Sequence, residues 1–152
     1  MKRVNFYFDD VSDNLKDKRV LSNFINTVVS EANRSIGPLA YTFTTDQKVL
    51  ELNKQYLKHK TLTDIITFDY TEGTTLSGEI FISVERVKEN SVKFGDSFSN
   101  ELLRVIFHGL LHLLGNKDKT DEQSTRMREL ENDLMARFTA YKTIVSRETL
   151  KT

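Results

Sequence analysis

Residues 100–118 read Asn100-Glu-Leu-Leu-Arg104-Val-Ile-Phe-His108-Gly-Leu-Leu-His112-Leu-Leu-Gly115-Asn-Lys-Asp118, and this run organises the rest of the chain. Asn100 to Leu114 is apolar enough for a deeply buried helix, and Gly115 can take the left-handed conformation that closes one. His108 and His112 are four apart, so they share a helix face with Cβ atoms about 5–6 Å apart. From that spacing two imidazoles reach a single ion at about 2.0–2.1 Å. Beyond Gly115 the chain turns back, and Asp118 can swing round as a third ligand. Three protein ligands with a fourth position open is a catalytic zinc arrangement rather than a structural one. The open position holds a water that the metal makes more acidic.

Plainer explanations exist for each residue. Two histidines on an apolar helix can be hydrogen-bonded core residues, and an aspartate before a helix can be its N-cap. Thr120 and Gln123, however, already form a capping-box pattern at the start of the next helix, which leaves Asp118 available. Only three histidines occur in the chain, and two of them stand at ligand spacing. Gly109 occupies the position where His-Glu-x-x-His proteases carry their general base, which argues against peptide hydrolysis.

Outward from this helix, the 152 residues favour one domain, 1–152. No cysteine is present, so disulfides and thiolate ligands are excluded and any metal is held by nitrogen and oxygen. The 22 basic and 22 acidic residues argue against a protein that simply coats nucleic acid, without excluding local phosphate contacts. No stretch nears the roughly 20 apolar residues of a membrane span, and the N-terminus turns acidic at Asp9, so a cytoplasmic protein is expected.

Hydrophobic periodicity predicts strands at Val4–Phe8, Leu39–Phe43, Ile65–Tyr70 and Glu79–Val84. Helices are expected over Leu15–Ala32 (stopped by Gly37-Pro38), from Thr44 through Leu57, over Val84–Lys93 and from Thr120 onward. The last of these carries a stripe of Met127, Leu130, Leu134, Phe138 and Tyr141. The alternation predicts an α/β (α+β) fold, a small mixed sheet of about four strands covered by helices, with a zincin-like metal helix.

Three segments resemble the YbeY family of bacterial endoribonucleases. His108, Gly109, Leu111, His112, Leu113 and Gly115 meet the pattern His-Gly-x-Leu-His-Leu-x-Gly-Tyr-Asp-His. Leu52-Asn53-Lys54-Gln55-Tyr56 and Thr63-Asp64-Ile65-Ile66-Thr67-Phe68 resemble Leu-Asn-x-x-Tyr-Arg and Thr-Asp-Val-Leu-Ser-Phe, and Gly78-Glu79-Ile80-Phe81-Ile82-Ser83 resembles Gly-Asp-Ile-x-Ile-Ser. The resemblance implies one zinc ion and cleavage of single-stranded RNA. It also implies small-subunit rRNA as substrate and the ribosome as partner, in maturation and quality control.

Two departures change the expected site. The family's third histidine falls on Asp118, giving two histidines and a carboxylate, a set that suits zinc and also iron(II) or manganese. The family's arginine falls on Leu57, so phosphate contacts are expected instead from Lys58, Lys60 or Arg104, with a solvated surface charge as the plain alternative for each. Asp64 is the candidate catalytic carboxylate, orienting water or a ligand; its plain role is a turn acceptor. Glu79 is a weaker candidate, Glu101 reads as a dipole partner in a first helical turn, and Asn116 as a turn residue. His59 is expected in an exposed loop. No residue stands out as the general base. The rival expectations are a ribosome-associated RNA-binding factor with a structural metal and little catalysis, and a metal-dependent hydrolase of another substrate.

Overall fold

The computed structural model describes residues 3–57 and 63–151. In chain order the elements are β1 (Asn5–Phe8), α1 (Lys18–Glu31), β2 (Ser35–Thr44), α2 (Asp46–Leu52) with a π-helical turn at Asn53–Leu57, β3 (Ile65–Asp69), β4 (Thr75–Ser83), α3 (Val84–Phe94), α4 (Phe98–Leu113) and α5 (Asp121–Lys151). The sheet order is β1-β2-β4-β3. β1, β2 and β4 run parallel, and β3 pairs antiparallel with β4. The fold is α+β with the four-stranded mixed sheet expected from the sequence. Among the described residues, no helix is long and apolar enough to cross a membrane.

Period-two alternation gives the sheet an inner face that meets α4. Tyr41, Phe43, Ile80 and Ile82 lie on it and are fully buried. The Tyr41 hydroxyl donates to the Ile106 carbonyl at 3.0 Å, tying the sheet to the middle of α4. Gly109 makes the close approach possible, because a Cβ there would stand 2.9 Å from Ile65 Cδ1 and 3.1 Å from Ile80 Cδ1. The position that carries the base in His-Glu-x-x-His proteases is therefore pressed against the sheet here, with no room for a side chain. On the other side of α4, Phe107 meets Phe24 of α1 and Phe138 of α5 with ring centroids 5.8 and 5.9 Å apart. Truncating a phenylalanine buried this way costs about 3–5 kcal/mol, so the helix that carries both histidines is held from two sides.

Several boundaries differ from the sequence expectation for local reasons. Gly37-Pro38 does not stop a helix; it lies inside β2, at a register irregularity between Ile36 and Leu39. A bulge tolerates a proline that has no N–H to give, and the Pro38 carbonyl is taken up by the Ser77 hydroxyl at 2.7 Å. Helix α1 ends earlier, at Glu31, with Asn33 at positive φ. The cap of α2 is Thr45, whose hydroxyl accepts from Lys48 N, not Thr44. Strand β4 begins at Thr75 rather than at Glu79, and the stretch before it is a tight turn closed by the Glu72–Thr75 bridge.

Candidate metal centre

His108 and His112 project from the last two turns of α4. The chain leaves that helix through Gly115 at φ 100°, a conformation that a residue with a Cβ rarely adopts. Asn116 N returns to the Leu111 carbonyl at 3.0 Å. The chain then enters α5 through a reciprocal capping box: Thr120 N donates to Gln123 Oε1 and Gln123 N to Thr120 Oγ1. The start of α5 is thus capped without Asp118, whose carboxylate meets the histidines instead.

The three donor atoms form a compact triangle. His108 Nε2 and His112 Nε2 are 2.9 Å apart, and Asp118 Oδ2 lies 3.3 Å from the first and 3.4 Å from the second. Ligands on a tetrahedral ion with bonds of about 2.0–2.2 Å are about 3.3–3.5 Å from one another, so the nitrogens need to open by only a few tenths of an ångström. The His108, His112 and Asp118 side chains are 21%, 28% and 39% exposed, so the triangle faces accessible space. These residues could hold a metal ion.

Hydrogen bonding leaves one nitrogen of each ring free for a metal. His108 Nδ1 donates to Glu131 Oε2 at 2.6 Å, and His112 Nδ1 donates to the Asn116 carbonyl at 2.9 Å. With both partners accepting, each ring carries its hydrogen on Nδ1 and turns Nε2 inward. Two nitrogen lone pairs and a carboxylate oxygen at this separation call for a cation among them. Burial alone would lower the His108 pKa, but its hydrogen bond to Glu131, with the charges of Glu131, Asp118 and Asp64, raises it above 6.5.

The triangle lies at the edge of a cleft of about 440 Å³ whose walls include Asp64, Glu101, Arg104, His108, Asp118, Arg128 and Glu131. Asp64 precedes β3, and its backbone carbonyl accepts from Ser83 N at 2.9 Å, which extends the pairing of β3 with β4, while the residue also lines the cleft. Burial raises its carboxyl above the ordinary value of 3.8. Arg104 donates from Nη1 to Asn132 Oδ1 at 2.8 Å and lies 3.4 Å from Glu131 Oε1. It is therefore anchored in the wall rather than a loose surface charge. Lys58, His59 and Lys60 lie outside the described residues. Glu79 stands exposed on β4; its neighbour Ile80 faces α4, so alternation turns Glu79 to the opposite face, away from the metal group.

Sequence reasoning gave too little to three residues. Glu101 is more than a dipole partner: it is 6% exposed and lines the cleft. Asn116, read as a turn residue, orients His112 through its carbonyl. Glu131 was missed altogether, although it is buried and holds His108. A signal existed, since a glutamate four residues after Met127 and three before Leu134 sits within the apolar stripe of α5.

The endoribonuclease YbeY family model matches residues 8–139. An endoribonuclease YbeY of Bacteroides fragilis is 47% identical over 119 residues, covering 78% of this chain and 86% of that protein. One from Flavobacterium johnsoniae is 40% identical over 135 residues, covering 89% and 96%. The solution structure of TM1509 from Thermotoga maritima matches the fold with a TM-score of 0.57 at 23% identity, covering 90% of this chain and 92% of that one. With a family model over most of the chain and relatives this similar, the chain belongs to the YbeY endoribonuclease family.

Proposed function

We propose that this chain is a metal-dependent endoribonuclease that hydrolyses phosphodiesters of single-stranded RNA, with one ion, zinc for preference, on His108, His112 and Asp118. Its substrate is the small-subunit rRNA, met on the ribosome during maturation and quality control, which makes it a cytoplasmic enzyme. The observation that carries the reading is the donor triangle opening onto a cleft, together with the endoribonuclease name borne by relatives of 40–47% identity. A purely structural metal fits less well, because the ligands are part-exposed beside the cleft while the core packs around Phe24, Phe107 and Phe138 without them.

Such an ion, when bound, activates water for attack and offsets charge developing on the phosphoryl oxygens. The chain's own residues do the rest. Glu131 and the Asn116 carbonyl fix both imidazole planes, so the ligands would meet the ion after opening by only a few tenths of an ångström. Arg104 and Arg128 bring positive charge to the cleft wall, where an RNA phosphate is bound. Asp64 keeps its proton to higher pH than an ordinary aspartate and is our candidate for proton transfer at the reacting phosphate. Lys58 and Lys60 supply point charges to the RNA phosphates, without the bidentate grip of a guanidinium.

The test is elemental analysis paired with cleavage of a single-stranded RNA. H108A and H112A each lose the stoichiometric metal and at least a hundredfold of the cleavage rate, and a chelator does the same to the unaltered chain. Undiminished cleavage by metal-free protein would refute the proposal.

A further inference from the structure

Beside the metal group, the cleft continues into a second lobe of about 330 Å³. Its walls are Phe94, Asp96, Glu101, Arg104, Arg128 and Asn132. Four of these, Phe94, Glu101, Arg104 and Arg128, also line the larger cleft with His108 and Asp118, so the two spaces are continuous.

Phe94 is 57% exposed at the end of α3, whose buried side is formed by Val87 and Ser91 instead. An aromatic ring left in water at the mouth of a reaction cleft is a surface on which a nucleobase can stack. Lys93 Nζ lies 5.8 Å from the ring centroid, adding positive charge at the same place. Across the lobe, Arg104 and Arg128 share the single carboxylate of Glu131, at 3.4 and 3.6 Å from Oε1. Glu131 is also committed to His108. Glu131 is the one carboxylate at ion-pair distance from both guanidinium groups, which have five N–H donors each, and the Arg128 side chain is 54% exposed. Of the other two acids in the wall, Asp96 stays ionised, its hydrogen bonds holding its carboxyl below the ordinary value, and only Glu101 opposes the positive charge less. Asp96 Oδ1 accepts from Ser97 N at 2.8 Å and Asn100 Nδ2 at 3.0 Å, at the start of α4. Burial raises the Glu101 carboxyl towards its neutral form.

We propose that this lobe is a nucleotide subsite: Arg128, with Arg104, holds the phosphate next to the scissile one, and the Phe94 ring stacks on the base attached to it. The inference rests on the RNA-hydrolase function proposed above and adds where the strand lies. It makes one flanking base matter to binding whatever its identity, because every base has a face to stack.

The experiment uses the metal-loaded full chain and a short fluorescein-labelled single-stranded RNA, with anisotropy for binding and cleavage for KM and kcat. F94A weakens binding about fivefold or more, with the loss carried mainly by KM, and F94Y restores it. R128A also weakens binding, and it reduces the slope of log affinity against log salt by about 0.7, whereas F94A leaves that slope in place. A wild-type chain that binds and cleaves beside an F94A chain of equal KM overturns the subsite alone, whether Phe94 is then a protein contact or idle. A wild-type chain that neither binds nor cleaves overturns the subsite together with the function it rests on.

Discussion

The two histidines of the metal group are four residues apart on one helix, yet they are held in opposite ways. His112 is oriented from within its own neighbourhood: its Nδ1 finds the carbonyl of Asn116, in the turn that closes α4. His108 is oriented from far along the chain, by a glutamate 23 residues later on α5 that is itself flanked by Arg104 and Arg128. The local half comes with the helix ending and involves only backbone. The distant half exists only once α5 has docked, and it uses a buried carboxylate. One half of the site is thus as robust as a helix turn, while the other is as sensitive as a buried ion pair.

The largest effect expected from this contrast is at Glu131. Removing a carboxylate that holds a metal-bound imidazole typically costs about 10–100-fold in metal affinity. E131A falls in that range, measured by competition with a chromophoric zinc chelator. E131Q, which keeps an acceptor for Nδ1 but not the charge, lies between E131A and the unaltered chain. Because Glu131 is itself buried and also pairs with Arg104 and Arg128, circular dichroism is needed to show that each variant is folded. A folded E131A chain with unaltered zinc affinity would break the contrast.

The same division explains what could be read from sequence. His108, His112 and Asp118 were legible because helical spacing, a glycine stop and a spare capping box are all short-range signals. The four strands and the apolar face of α4 were legible through periodicity alone. Glu131 and Arg128 were not, because their meaning depends on which face of α5 meets α4, and periodicity shows that α5 has a buried stripe without showing what lies opposite. Gly37-Pro38 failed for a related reason. Its local chemistry says turn, but an irregularity in the pairing with β4, between Ile36 and Leu39, let the strand absorb it. Arg104 lay between: its place one turn before His108 was visible, its anchoring to Asn132 was not.

Asp64 sharpens the contrast from the third wall of the cleft. Burial raises its pKa in the folded protein above the ordinary 3.8. The folded chain therefore holds that proton more tightly than the unfolded one, a stabilisation fully present below the ordinary value and lost as pH rises through the raised one. At neutral pH the ionised carboxylate is then a cost. D64N has a higher Tm than the unaltered chain at neutral pH in the presence of chelator, and the difference shrinks as pH falls below the ordinary aspartate range. Thermal melts across pH decide it; a D64N chain that is less stable at neutral pH would mean that attraction to His108 outweighs burial. The same variant loses RNA cleavage if Asp64 moves a proton in the reaction, so stability and activity change in opposite directions.

The smallest effect is expected at Asn116, and its smallness is informative. The group that holds His112 is the Asn116 carbonyl, which every residue supplies, so N116A leaves the imidazole contact intact. What it removes is the side-chain bond from Nδ2 to the Leu111 carbonyl at 3.1 Å, worth about 0.5–1.5 kcal/mol. That carbonyl keeps its backbone partner, Asn116 N at 3.0 Å, so the loss belongs at the lower end. Denaturant titration should show this small loss, with zinc affinity changed by less than about threefold, well short of the E131A effect. If N116A released zinc as readily as E131A, the orientation of His112 would depend on the asparagine side chain holding the turn, and the local half of the site would be no more robust than the distant one.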